Sequence, residues 1–161
     1  MRRLIIIASL FMNLCLPMGT QASNGGNVSP DPNFQIYLCF GQSNMEGNAA
    51  IEDIDRIGVN PRFMAMYAVD DEKAGWKKVQ WHTAVPPQAR PDTGLTPVDY
   101  FGRKMVDNLP DSIKVGTITV AVGGASIDLF DKRTCKAYLK KQPDWMKNFA
   151  SQYNGNPYAR L

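Results

Sequence analysis

The chain has 161 residues, 44% hydrophobic and 20% charged, with 18 basic and 15 acidic side chains and a formal net charge of +3. That balance suits one globular domain. With little net charge and no basic run before position 132, it gives no electrostatic footprint for nucleic acid.

The first 22 residues read as a secretory signal peptide. Arg2 and Arg3 make a positive start, Leu4 to Leu16 is an apolar run too short to span a membrane as a helix, and Thr20-Gln21-Ala22 is a small-residue cleavage site. A lipoprotein signal would place a small residue before its cysteine, but Leu14 precedes Cys15. Cleavage after Ala22 predicts a secreted or periplasmic chain with no membrane attachment, and the charge falls to +1 as Arg2 and Arg3 leave. Cys39 and Cys135 then remain. Two cysteines make no disulfide framework, and neither has a His or a second Cys at ligand spacing, so no metal site is expected. Cys39 reads as a small buried hydrophobe.

Residues 23–33, SNGGNVSPDPN, form a flexible lead-in. Phe34 to Phe40 is nearly continuous in apolar, β-favouring residues, as in a strand buried on both faces of a parallel sheet, and it ends at the polar turn Gly41-Gln42-Ser43-Asn44. A second strand is expected over Arg62 to Val69, and a weaker, more exposed one over Trp76 to His82. The proline-rich stretch from Val85 to Thr93 is an irregular loop.

A helix then opens with Thr96 as cap, Pro97 at its first position and Asp99 near its positive end, and Pro110 closes it. Val98, Phe101, Met105 and Leu109 form its apolar stripe. The strongest strand pattern runs from Ile113 to Val122, followed by Gly123-Gly124. A helical region from Lys132 to Ser151 breaks at Pro143, and its lysine-rich first part, to Lys141, is a solvated face. Asn156 and Pro157 start a further helix within whose first turn Leu161 falls, and this reads as a domain cut short. The order of elements argues an α/β domain with a parallel sheet.

Ligands gather beyond the carboxyl ends of strands in such sheets, and two of those ends carry unusual turns. GQSNMEG offers the hydroxyl of Ser43; GGASID offers backbone N–H groups beside glycines, which let a substrate oxygen approach the main chain. A nucleophile at one turn and oxyanion donors at the other are the minimum for acyl transfer. From spacing alone the plainer reading is the stronger: Ser43 caps the element after it, and the glycines turn the chain. Nor is this the G-x-S-x-G nucleophile elbow.

The run FQIYLCFGQSNMEGN, however, resembles the first block of the SGNH hydrolases, in the subgroup of sialate O-acetylesterases and acetylxylan esterases (carbohydrate esterase family six). TGLTPVDYFGRKM resembles the family's Gly-Pro segment leading into a helix, VGTITVAVGGASIDLF its second block, and NGNPYARL the start of the helix before its third block. The resemblance covers residues 34–161. It implies a flavodoxin-like three-layer α/β sandwich, Ser43 as nucleophile, and an oxyanion hole from the N–H of Ser43 and that of Gly124 or Gly123. It also implies Gln42 and Asn44 beside the substrate. The substrate would be an acetylated carbohydrate, and no cofactor is needed. Nothing in the resemblance bears on oligomeric state.

The departure is in the acid–base residues. The family's D-x-x-H arrangement and its HQGES-like third block are not present in residues 1–161. The sole histidine, His82, has Val79 three residues before it; it is expected as a packed residue that at most lines the cleft. Asp128 and Asp131 read as local caps. Trp76, Trp81 and Trp145 suit sugar stacking, with nothing in the sequence to place them together.

Overall fold

In the computed structural model, which describes residues 29–160, the expected signal peptide and the first part of the lead-in lie outside the described residues. The first apolar run forms β1 (Phe34–Gly41), followed by two short helices, α1 (Ser43–Glu46) and α2 (Asp53–Arg56). Then come β2 (Phe63–Tyr67), β3 (Trp81–Thr83), α3 (Pro97–Asn108), β4 (Lys114–Ala121), α4 (Cys135–Lys140) and α5 (Asp144–Gln152). Single 3₁₀ turns cover Ile127–Leu129 and Pro157–Arg160; in the second, Asn156 Oδ1 accepts the Ala159 N–H at 3.2 Å.

The four strands lie in the order β1-β4-β2-β3. β1, β4 and β2 are parallel, as the buried β-branched runs predict. β3 is instead antiparallel to β2, pairing Ala65 with His82, so the sheet is mixed. The reason is the shape of the connection. Residues 68–80 form no crossover helix; they fold back on themselves, closed by the antiparallel Asp71–Trp76 bridge, and return the chain alongside β2.

Helices cover both faces in three layers, the SGNH-like α/β arrangement. On one face α3 packs over Phe63, Ala65 and Val115. Its start is fixed by a capping box: Thr96 Oγ1 accepts the Val98 N–H at 3.0 Å, and the Asp99 carboxylate accepts the Thr96 N–H at 3.0 Å. The fully buried positions are Val98, Asp99, Gly102 and Val106; Met105 and Leu109 of the expected stripe pack partly buried on the same core, and of that stripe Phe101 is the exposed member, at 39%. Gly102 sets how closely the helix sits. A Cβ there would lie 2.0 Å from the Phe63 ring, so only glycine lets the helix come so near β2. On the other face Met146 and Ala150 of α5 pack with Leu129, Phe130 and Tyr153 against Ala68, Val120 and Val122. α5 starts directly after Pro143, and Lys132, Lys136, Lys140 and Lys141 are exposed.

β1 is a sheet edge, and its side chains Ile36, Leu38 and Phe40 are 51%, 52% and 43% exposed. Cys39 and Cys135 are free thiols, and burial pushes the Cys39 thiol above its ordinary range.

Candidate active site

The two turns singled out in the sequence leave the sheet side by side. Gly41 at the end of β1 is in register with Ala121 at the end of β4, and the Val122 N–H donates to Gly41 O at 3.1 Å. Ser43 follows as the first residue of α1. Gln42 caps that turn: its Oε1 accepts the Ser43 N–H at 2.6 Å and also the Ser43 hydroxyl. Asn44 is exposed beside it, and Asn48 Nδ2 donates to Ser43 O at 3.4 Å. The chain beyond α1 is laced to the segment before α3, with the Gly94 N–H on Gly47 O at 3.0 Å and the Leu95 N–H on Ala49 O at 2.8 Å.

In the second turn the Ala125 N–H closes back on Val122 O at 3.1 Å. The N–H groups of Gly123 and Gly124, between them, take no partner among the described residues. Gly124 has φ +71°, a left-handed conformation that favours glycine. Between the two turns lies a hollow of about 210 Å³, lined by Phe40, Gly41, Gln42, Ala125, Ser126 and Ile127.

Beneath both turns sits a pair of charges that sequence reading missed. Glu46 of α1 and Arg90 of the proline-rich loop form an ion pair with side chains only 11% and 10% exposed. Arg90 Nη1 also donates to Ala121 O at 2.6 Å, and its guanidinium lies 4.6 Å from the centre of the Phe149 ring. Gly123 rests on the same carboxylate, since a Cβ there would be 2.6 Å from Glu46 Oε2. One ion pair thus joins the Ser43 turn, the loop and the Gly123 turn. Glu46 stands inside GQSNMEG in plain view, but its partner lies in a loop legible only as irregular. A lone arginine among prolines was the available signal.

His82 is placed elsewhere. It lies on β3, at the opposite sheet edge from β1, about 14 Å away at the usual strand spacing. Its ring stacks on Trp76 with centroids 3.8 Å apart and 18° between planes, and it touches Tyr67 at 4.8 Å. Its Nδ1–H donates to Thr83 O at 2.9 Å, and burial lowers its pKa. His82 is therefore a packed residue, and the structure does not bring it to Ser43.

Asp128 and Asp131 serve their own loop. The Ser126 hydroxyl donates to Asp128 at 2.9 Å, and Arg133 holds the Asp131 carboxyl down at about 2. Among the described residues no three His, Cys, Asp or Glu side chains stand together as metal ligands, and no helix is long and apolar enough to cross a membrane. Trp81 packs edge-on to Phe34 at 4.7 Å, whereas Trp145 is 50% exposed and overhangs Gly124, where a Cβ would lie 3.3 Å from its ring.

Comparison with known families agrees with this geometry. Residues 33–153 match the family described as carbohydrate esterase, sialic acid-specific acetylesterase. An X-ray structure of a protein from Arabidopsis thaliana is similar at 17% identity with a TM-score of 0.49, over 76% of this chain and 51% of that one. The chain thus spans about half the length of that protein.

Proposed function

This chain belongs to the carbohydrate esterase family of sialic acid-specific acetylesterases, and on that premise we propose that it carries the nucleophile and oxyanion donors of a secreted serine esterase that removes acetyl groups from carbohydrate. The observation that carries this reading is the register of β1 and β4, which sets the Ser43 turn next to the Gly123-Gly124 turn, whose two glycine N–H groups take no partner among the described residues. In the proposed reaction Ser43 Oγ attacks the acetyl carbon, and the carbonyl oxygen, as it becomes an oxyanion, takes hydrogen bonds from the Ser43 N–H and from Gly123 or Gly124.

In the free protein the Ser43 N–H and hydroxyl both point to the Gln42 side-chain oxygen. That oxygen stands in for the substrate's acceptor, so Gln42 must swing aside on binding. Gln42 is exposed, so its side chain has solvent to turn into.

The Ser43 proton has to pass to a histidine held by a carboxylate. His82 is the only histidine in residues 1–161, so this proposal requires a base from outside them. A second reading, a glycan-binding protein without turnover, is favoured by a different observation: among the described residues the Ser43 hydroxyl meets Gln42 and no base.

Acetate release from acetylated xylan, measured with the base-supplying residues present, separates the two. The esterase reading expects release that Ser43→Ala lowers to the level left by oxyanion donors and binding alone, at most about 10³–10⁴ over water. Equal rates in parent and variant would remove Ser43 from the mechanism; no release from the parent favours the binding protein.

A further inference from the structure

We propose that the site takes esters whose acyl group is longer than acetyl, a straight chain of medium length filling an apolar trough that leads away from the Ser43 turn. The inference rests on the esterase reading in one respect: Ser43 fixes where the acyl carbon sits. The hollow of about 210 Å³ between the two turns has Gly41 and Gln42, the residues before Ser43, in its near wall. It shares Phe40, Ile127 and Phe130 with a second hollow of about 450 Å³ that runs on to Tyr158. An acetyl group ends in one methyl, close in size to a water molecule at about 30 Å³. It would leave most of the trough open to solvent.

The lining is apolar where the chain would start and charged only where it would end. Phe40, Ala125, Ile127 and Phe130 wall the near hollow, and the Phe40 and Phe130 rings stand with centroids 5.8 Å apart. Ser126, the polar residue among them, is already engaged. Its N–H donates to the Tyr138 hydroxyl at 3.1 Å, and its own hydroxyl donates to Asp128 at 2.9 Å. Asp131, Lys132 and Arg133 line the far hollow alone, and there Asp131 and Arg133 pair with each other at 2.8 Å. A hydroxyl-rich group in the near hollow finds few partners, whereas a methylene there simply leaves water.

Exposure points the same way. Ile127 is 71% exposed, and Phe40 and Tyr158 are about half in solvent around the same trough. Single apolar side chains on a surface need no explanation, but a contiguous group of them marks a binding groove, and this one adjoins the turn of the nucleophile. The trough also distinguishes chain lengths. Each methylene buried against Phe40, Ile127 and Phe130 should strengthen binding about fourfold.

The test is calorimetric titration of the full-length protein with straight-chain amides, from butanamide through hexanamide to octanamide. An amide keeps the carbonyl and offers no ester, so the outcome is independent of turnover, while acetate release decides the esterase reading separately. Affinity should rise about tenfold with each two carbons added. Ile127→Glu, which sets a charge in the trough at an exposed position, should weaken octanamide about tenfold and flatten the series. Ile127→Ser, a milder change, keeps the test valid if the glutamate upsets the fold. No octanamide binding by the parent, an affinity that does not grow with chain length, or parental octanamide affinity in the folded Ile127 variants would overturn the proposal.

Discussion

Glu46 and Arg90, far apart in sequence, meet as a buried ion pair directly under the turn that presents Ser43. Burying two charges costs several kcal/mol, so the pair is weak as a source of stability, but breaking it strands a charge. Arg90→Ala should therefore lower unfolding free energy by about 3–5 kcal/mol. The double change Glu46→Leu with Arg90→Met should restore most of that in urea unfolding, yet not the acetate release, because the tie between the two turns is gone. A double variant as unstable as Arg90→Ala would show that the cost lies in lost packing on Phe149 instead.

Glycine substitutions separate backbone strain from crowding. At Gly58, φ is +63° and a Cβ would meet no atom within 4 Å, so Gly58→Ala meets backbone strain alone, about 1–2 kcal/mol. Gly123 has no positive φ, but its new methyl would meet the Glu46 carboxylate at 2.6 Å. Gly123→Ala should cost about 1–3 kcal/mol through overpacking and should also reduce acetate release, which Gly58→Ala should leave unchanged. Thermal melts and rate measurements on the two variants check both halves.

His82 makes stability depend on pH near neutrality. Its folded pKa lies below the ordinary 6.5, chiefly because burial disfavours the cation. The second ring nitrogen, Nε2, is buried with no partner, so a proton there gains no hydrogen bond. The contribution is fully present above pH 6.5 and is lost as pH falls through the folded pKa. The melting temperature should drop between pH 7.5 and 5, and His82→Phe, which keeps a ring on Trp76, should flatten that drop. Equal slopes in parent and variant would exclude His82 as the titrating group.

Local chemistry was legible and long-range pairing was not. Thr96, Pro97 and Asp99 announce the start of α3 because capping is decided within four residues, and Pro143 announces the break before α5 for the same reason. The runs that became β1, β2 and β4 were readable from their apolar continuity. The direction of β3 was not, since the Asp71–Trp76 clamp is made by backbone groups that any residue carries. The closeness of α3 to β2 was hidden too: Gly102 looks neutral in a periodic pattern and matters only because Phe63 lies beneath it. At the candidate site, Ser43, Gly123 and Gly124 could be named from their motifs, and the sheet register sets the two turns that carry them side by side. Arg90 acquires its role solely from the elements that fold around it.

The β1 edge leads to the last prediction. Sheet edges in soluble proteins are blunted by charge, proline or a bulge. β1, FQIYLCFG, carries none of the first two and pairs without interruption from Phe34 to Gly41 with β4 on its other side. Its outward face shows Ile36, Leu38 and Phe40, each more than two-fifths exposed, and its open edge offers a row of backbone donors and acceptors. Such an edge seeks a strand. Residues 23–161 on their own should self-associate with rising concentration, and Leu38→Lys, which places a charge in the centre of the edge, should return sedimentation to the monomer without lowering the melting temperature. Leu38 is half in solvent, so the lysine stem can lie along the sheet while its ammonium reaches water. A monomer at all concentrations in the parent would mean that another segment already covers β1, and Leu38→Lys would then destabilise the fold instead of dispersing it.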